Sequence, residues 1–246
     1  DIFSVKALKW YKRSLSHSES RLNKLGNKSK DEHFSYLGKS IIRLIKRLSM
    51  TVSQIKDIER ILSIRKEIDS DIPLRLDANQ GWDVEGALKV LIALKDCNIE
   101  LCEEPMRRGQ FMDQKFIKEN SPIPIMADES CSDEYDADRL ISCGACDSIN
   151  IKLGKSSGIY KALKIIAIAE ESNIPVQIGG FLESRLGFTA SAHLAMTSDI
   201  IQGIDFDTPL MFSKDPVEGG IKYSDGGQIF LPETVGLGAQ LNLNYN

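Results

Sequence analysis

Four ionisable residues recur down this chain at a nearly constant interval. They are Asp77, Glu103, Asp128 and Lys152, spaced 26, 25 and 24 residues apart. Each closes a short apolar run, in "IPLRLDAN", "IELCEEP", "IPIMADES" and "DSINIKLGK". Glu183 follows the next run, and Asp205 with Asp207 closes the one after it. Taken alone, the D-x-N of Asp77 and Asn79 has an ordinary reading, because Asx residues start turns. Three carboxylates closing three successive runs, with a lysine closing the fourth, make a different pattern. Such oxygen ligands suit Mg²⁺, a hard cation that keeps positions open for water or substrate. The set favours Asp77 as a metal ligand over Asp77 as a turn former.

The runs that end in these residues read as strands, and the segments between them read as helices. "DVEGALKVLIALKDCN" has amphipathic spacing, with Asp83 as a candidate N-cap. "GQFMDQKFIKEN", "SDEYDADRLISC", "GIYKALKIIAIAEESN" and "SRLGFTASAHLAMTS" continue the alternation. Strand ends fall near residues 77, 103, 128, 152, 178 and 205. A strand–helix unit repeated at this pitch predicts a parallel sheet. With "SIIRLIKRL" at 40–48 as an earlier strand, a barrel fits better than an open sheet. No G-x-G-x-x-G follows a first strand, which counts against a dinucleotide fold. In such barrels the reactive groups lie at the C-terminal ends of the strands.

The 246 residues are 42% hydrophobic and 27% charged, as in a globular domain of this size. No apolar run nears 18 residues and no signal peptide leads, so a soluble, cytoplasmic protein without membrane contact is expected. The chain opens at Asp1 rather than Met, so a fragment is one reading. Its five cysteines (Cys97, Cys102, Cys131, Cys143 and Cys146) are odd in number and predict no disulfide framework. The lone C-x-x-C at 143–146 lacks two further zinc ligands. Residues 1–50 carry twelve Lys/Arg against four Asp/Glu, and the remainder carries nineteen against thirty-one. The basic segment brings no nucleic-acid motif with it, so a nucleic-acid partner is not expected. His193 reads as a packing residue.

Together, "LDANQGW", "CEEP", "MADES", "INIKLGKSSGI" and "GGFLESRLGFTASAHLA" resemble the enolase superfamily, specifically its muconate-lactonizing (mandelate racemase/muconate lactonizing enzyme) subgroup. The resemblance covers roughly residues 40–246. It implies an α/β fold, a TIM-type barrel of the modified (β/α)₇β kind lacking most of the family's N-terminal α+β capping domain. Residues 1–39 would be a helical and polar lead-in, 40–207 the catalytic barrel, and 208–246 short strands that pack on a cap. The resemblance implies Asp77, Glu103 and Asp128 as ligands of one Mg²⁺ per chain, and Lys152 as an acid/base. Asn79, Glu104 and Glu129 would orient those ligands, and Glu183 would stand close to the substrate. The implied reaction removes a proton alpha to a carboxylate through a metal-stabilised ene-diolate. A partly desolvated lysine beside a metal can be tuned downward to accept that proton.

"GIDFDTPLMF" narrows the resemblance to dipeptide epimerases. There an acidic pair, here Asp205 and Asp207, holds the free ammonium of the dipeptide. Alternation along the last strand would put both aspartates on one face. A second acid/base is needed on the opposite face of the α-carbon. The family takes it from a Lys-x-Lys, a pattern this chain departs from, and Lys46 is the candidate. Three further activities of the subgroup are alternatives: N-acylamino-acid racemase, o-succinylbenzoate synthase and muconate cycloisomerase. A truncated, non-catalytic relative is another. The expected partner is a small molecule, a dipeptide or N-acyl amino acid. A homo-oligomer is left open.

Overall fold

The first and fifth strands of the sheet meet through their side chains. The Arg75 guanidinium on the first strand donates to Gln177 Oε1 on the fifth at 2.6 Å. Four steps of ~4.8 Å would part those strands by about 19 Å in a flat sheet. The sheet is therefore rolled, with Arg75 and Gln177 on its concave side. The computed structural model describes residues 54–224 and 228–242. All of these lie in one compact unit, Ser53–Asn246.

The strands are β1 (Leu74–Asp77), β2 (Ile99–Glu103), β3 (Ile125–Ala127), β4 (Ser148–Lys152), β5 (Val176–Gly179) and β6 (Ile201–Ile204). They form one six-stranded sheet in sequential order, each paired in parallel with the next. A helical stretch, 54–67, precedes β1. The crossovers are α1 (Val84–Ala93), α2 (Phe111–Asn120), α3 (Glu134–Cys143), α4 (Ile159–Glu171) and α5 (Arg185–Ala195). This is the strand–helix repeat that the sequence predicts. The expected strand at 40–48 lies outside the described residues, and among those described β1 and β6 are the two sheet edges.

Local chemistry sets the helix ends. Asp83 accepts the Gly86 N–H and caps α1 as expected. Asp133 accepts from Tyr135 and Asp136 and caps α3, and Gly144 ends it at φ 67°, a left-handed turn that suits glycine. The helices cover one face of the sheet only. Ala127, Ile149, Ile151, Val176 and Ile178 pack there against Leu140, Ile165 and Phe188. Cys102 and Ile125 pack with Val90, Leu91 and Ile117. Burying each large apolar side chain contributes about 1.5–3 kcal/mol. Because strand side chains alternate, the opposite, concave face receives Arg75, Asp77, Glu103, Asn150, Lys152 and Gln177.

The tail makes two antiparallel pairs, β7 (Val217–Gly219) with β10 (Ala239–Leu241) and β8 (Lys222–Tyr223) with β9 (Ile229–Phe230). Val217 and Ile221 are buried, and Ile221 belongs to the core shared with α5. All five cysteines are free thiols, four of them buried. No helix among the described residues is long and apolar enough to cross a membrane.

Candidate active site

Register aligns the acidic residues. Asp77 pairs directly with Glu103, and Glu103 with Met126. Met126 in turn pairs with Ser148. Two residues further along, Asp128 and Asn150 keep the same parity, and Lys152 follows on β4. All of these side chains leave the C-terminal end of the sheet on its concave side.

Asp77 serves its own turn as well. Its Oδ1 accepts the Asn79 N–H at 2.8 Å, and its Oδ2 accepts from the Asn79 amide at 3.3 Å. The turn and the oriented carboxylate are thus one arrangement. Asn79 and Gln80 sit at φ 49° and 63°, and the Gln80 N–H donates to Glu104 O at 2.8 Å. Glu103 Oε1 accepts from Asn150 Nδ2 at 2.8 Å. Burial, with the charges of Asp128 and Asp77, pushes the Glu103 carboxyl up to about 7 against that hydrogen bond and the Lys152 charge.

Glu104 is wholly buried. Its Oε2 accepts the N–H groups of Asp128 at 2.7 Å and Ser130 at 3.2 Å, and its Oε1 the Ser130 hydroxyl at 2.5 Å. It fixes the chain where Asp128 emerges. Glu129 is half-buried, close enough for its charge to act on Glu104 and Lys152.

Two lysines converge on Asp128. Lys152 Nζ lies 2.5 Å from Oδ2, and Lys155 Nζ lies 2.5 Å from Oδ1. Phe181 stacks near the first ammonium, its ring centre 5.5 Å away. Burial alone would lower the Lys152 pKa. The hydrogen bond and charge of Asp128, with the charges of Glu103 and Glu129, outweigh burial and raise it. The adjacent Asp128 carboxylate is the cause.

Asp205 and Asp207 both lie beyond β6, which ends at Ile204. Strand alternation therefore does not place them. Phe206 between them is buried against Phe188, ring centres 4.9 Å apart, and Asp207 opens a 3₁₀ turn. The pair is close all the same. Burial and Asp207 push the Asp205 carboxyl up, and Lys152 and Arg75 pull it down. Glu183 is turned onto its own loop, where its Oε1 accepts the Phe181 N–H at 3.0 Å. A Cβ at Gly187 would stand 2.4 Å from its other oxygen, so a side chain there would displace the Glu183 carboxylate. Lys46 lies outside the described residues.

Asn150 and Lys155 are site residues that the sequence reading missed. The signal for Asn150 is its parity with Lys152 on β4. For Lys155 it is a Lys-x-x-Lys in which a turn closes, the Lys155 N–H donating to Lys152 O at 2.9 Å.

The donor set suits a hard divalent cation. Three carboxylates share one face, and their mutual repulsion is visible at Glu103. They are not drawn together as a ligand sphere. Among the described residues no three His, Cys, Asp or Glu side chains are grouped to hold a metal, and Asp128 is engaged by the two ammonium groups.

The family model described as "Enolase C-terminal domain-like" matches residues 40–245. The D-Ala-D/L-Ala epimerase of Cytophaga hutchinsonii is 55% identical over 189 residues, 77% of this chain and 51% of that protein. The L-Ala-D/L-Glu epimerase of Clostridium acetobutylicum is 42% identical over 186 residues, 75% of this chain and 52% of that protein. A crystal structure of the dipeptide epimerase from Cytophaga hutchinsonii, complexed with Mg and the dipeptide D-Ala-L-Val, superposes with a TM-score of 0.77 at 54% identity. It is matched over 78% of this chain and 52% of that one. The chain thus spans about half the length of the curated relatives it matches.

Proposed function

Because the chain belongs to the enolase C-terminal domain-like family, we propose that it carries the catalytic groups of a Mg²⁺-dependent epimerase of dipeptides. The observation behind this reading is the shared concave face. Asp77, Glu103 and Asp128 emerge there with Lys152, and Asp205 lies within range of the Lys152 and Asp77 charges. Asp77, Glu103 and Asp128 would hold the cation. Bound there, it would stabilise the negative charge that develops on the substrate carboxylate as its α-proton leaves.

The chain's own residues do the rest. Lys152 Nζ takes or returns the proton at one face of the α-carbon, and Lys46 is the proposed partner for the other face. Asn79 orients Asp77, Glu104 fixes the backbone of Asp128, and Glu129 adds negative charge beside Lys152. Asp205 and Asp207 receive the substrate ammonium, and Glu183 lines the loop beside them. Two carboxylates at that point favour a free amine and disfavour an N-acylated or anionic substrate. This separates the reading from N-acylamino-acid racemase, o-succinylbenzoate synthase and muconate cycloisomerase activity, although two muconate cycloisomerases and an N-succinyl-L-Arg/Lys racemase are relatives at 33–35% identity.

Proton NMR in D₂O with Mg²⁺ and a panel of free-amine L,L-dipeptides tests the proposal. The expected result is loss of one α-proton signal and growth of a diastereomer, abolished by a chelator or by Lys152→Ala. Exchange that survives both controls would overturn it.

A further inference from the structure

Two lysines three residues apart hold the two oxygens of one aspartate, and their surroundings differ. Among the described residues, Lys152 donates to one protein oxygen, Asp128 Oδ2, and faces the Phe181 ring. Lys155 has three oxygen acceptors: Asp128 Oδ1, the Asp128 carbonyl, and the Asn150 carbonyl at 2.8 Å. Its side chain is only 7% exposed, against 14% for Lys152. An ammonium has three N–H donors, so Lys155 is saturated where it stands, and Lys152 has donors to spare.

Backbone pairing explains the need. β3 is three residues long, and its described pairing with β4 stops at Ala127 with Ile149. Asp128 is the first residue past that ladder. Its N–H is taken by Glu104, and its carbonyl accepts from Lys155 and from the Cys131 N–H at 2.9 Å, so two buried side chains of opposite charge and a local turn stand in for the missing strand pairing. The turn that carries Lys155 is itself closed. The Lys155 and Ser156 N–H groups and the Ser156 hydroxyl all donate to Lys152 O, at 2.9, 2.9 and 3.0 Å.

We propose that Lys155 is a positioning residue: it clamps Asp128 to the end of β4 and serves as that carboxylate's fixed counter-charge, so that Lys152 is free to turn to substrate. The clamp to the backbone stands on geometry alone, and its consequence for metal and catalysis rests on the epimerase reading above.

Removing Lys155 has two opposed effects on a cation bound by Asp128. Loss of a nearby positive charge would tighten binding. Loss of position would weaken it. The sign of the change therefore separates positioning from charge alone. Mn²⁺ titration of the full chain, followed by electron paramagnetic resonance, should show affinity at least tenfold weaker in Lys155→Met. Unchanged or tighter binding overturns the proposal.

Hydrogen exchange reads the clamp without metal. In Lys155→Met, amides 126–131 should exchange at least tenfold faster, and those of 74–79 should be unchanged. Asp128→Asn keeps both carbonyl contacts, so it should hold protection of 126–131 within threefold. It supplies the test should the first variant fail to fold. Protection lost in Asp128→Asn, or kept in Lys155→Met, overturns the clamp. A parent chain that binds no Mn²⁺ would overturn the metal reading, and the exchange arms would still decide the clamp.

Discussion

The carboxylate of Glu104 accepts the backbone N–H of Asp128 across 2.7 Å, so a wholly buried acid sets the position of a proposed metal ligand. Truncation in Glu104→Ala would leave the Asp128 and Ser130 N–H groups and the Ser130 hydroxyl without this partner. A buried donor left unsatisfied costs about 1–3 kcal/mol. The expected loss in urea unfolding is therefore about 2–4 kcal/mol. Glu104→Gln, which keeps an accepting oxygen, should lose less. Equal unfolding midpoints for the parent and Glu104→Ala would show that the contact is not structural.

Lys152 is different, because Asp128 has a second counter-charge in Lys155. Lys155 continues to face Asp128 when Lys152 is truncated. Lys152→Ala should therefore melt near the parent temperature while α-proton exchange falls by about 10²–10⁴, the range for a lost general base. Exchange within a few-fold of the parent would remove Lys152 from the chemistry.

The acidic pair predicts selectivity as well as rate. Asp205→Asn and Asp207→Asn should slow exchange of a free-amine dipeptide far more than that of its N-acetyl derivative. Hydrogen bonds to charged groups are worth about 1.5–3 kcal/mol, so each change should cost roughly tenfold to a hundredfold in kcat/KM, mainly through KM. Equal losses for the two substrates would place the pair outside the amine site.

The strand–helix repeat was legible because its signal is periodic and apolar, and periodicity survives without knowledge of partners. Asp77, Glu103, Asp128 and Lys152 were legible for the same reason, since each closes one period. Asn150 and Lys155 were hidden by context. An asparagine inside "SINIK" reads as ordinary strand alternation, and a lysine in "LGKSSG" reads as a loop residue bound for water. Only the folded site shows Asn150 reaching Glu103 and Lys155 reaching Asp128. Asp205 and Asp207 show the converse. Strand alternation predicts that they share a face, but the strand ends at Ile204, and the buried Phe206 stands between them in the turn that follows.

Glu134 gives a pH dependence of known sign. Its hydrogen bond from Lys161, its own backbone N–H at the start of α3, and Lys164 hold its carboxyl down at about 2. Lys161 and Lys164 reach it from α4 at 2.7 and 3.2 Å, joining two neighbouring helices. A depressed folded pKa contributes stability that is present above the unfolded value, about 4.3, and is lost as pH falls toward 2. Glu134→Gln should therefore be less stable than the parent at pH 7, and the gap should close between about pH 4.5 and pH 2. Paired unfolding curves across that range check it, and a gap that stays constant would assign the difference to packing instead.

Arg185 ties the tail to the sheet-bearing body. Its guanidinium donates to the carbonyls of Val217, Gly219 and Ile221 at 2.5, 2.6 and 3.0 Å, and to Asp215. One side chain at the start of α5 thus satisfies three backbone acceptors that β7 and its turn would otherwise leave to water. Ile221 is anchored independently, buried in the core with its N–H donating to Thr189 Oγ1 at 3.0 Å. Arg185→Met should therefore loosen residues 215–220 without unfolding the barrel strands. Limited proteolysis should cleave that segment at least several-fold faster while the global unfolding midpoint moves little, as expected of a local opening. A matched fall in the global midpoint would mean that the tail and the body unfold as one unit.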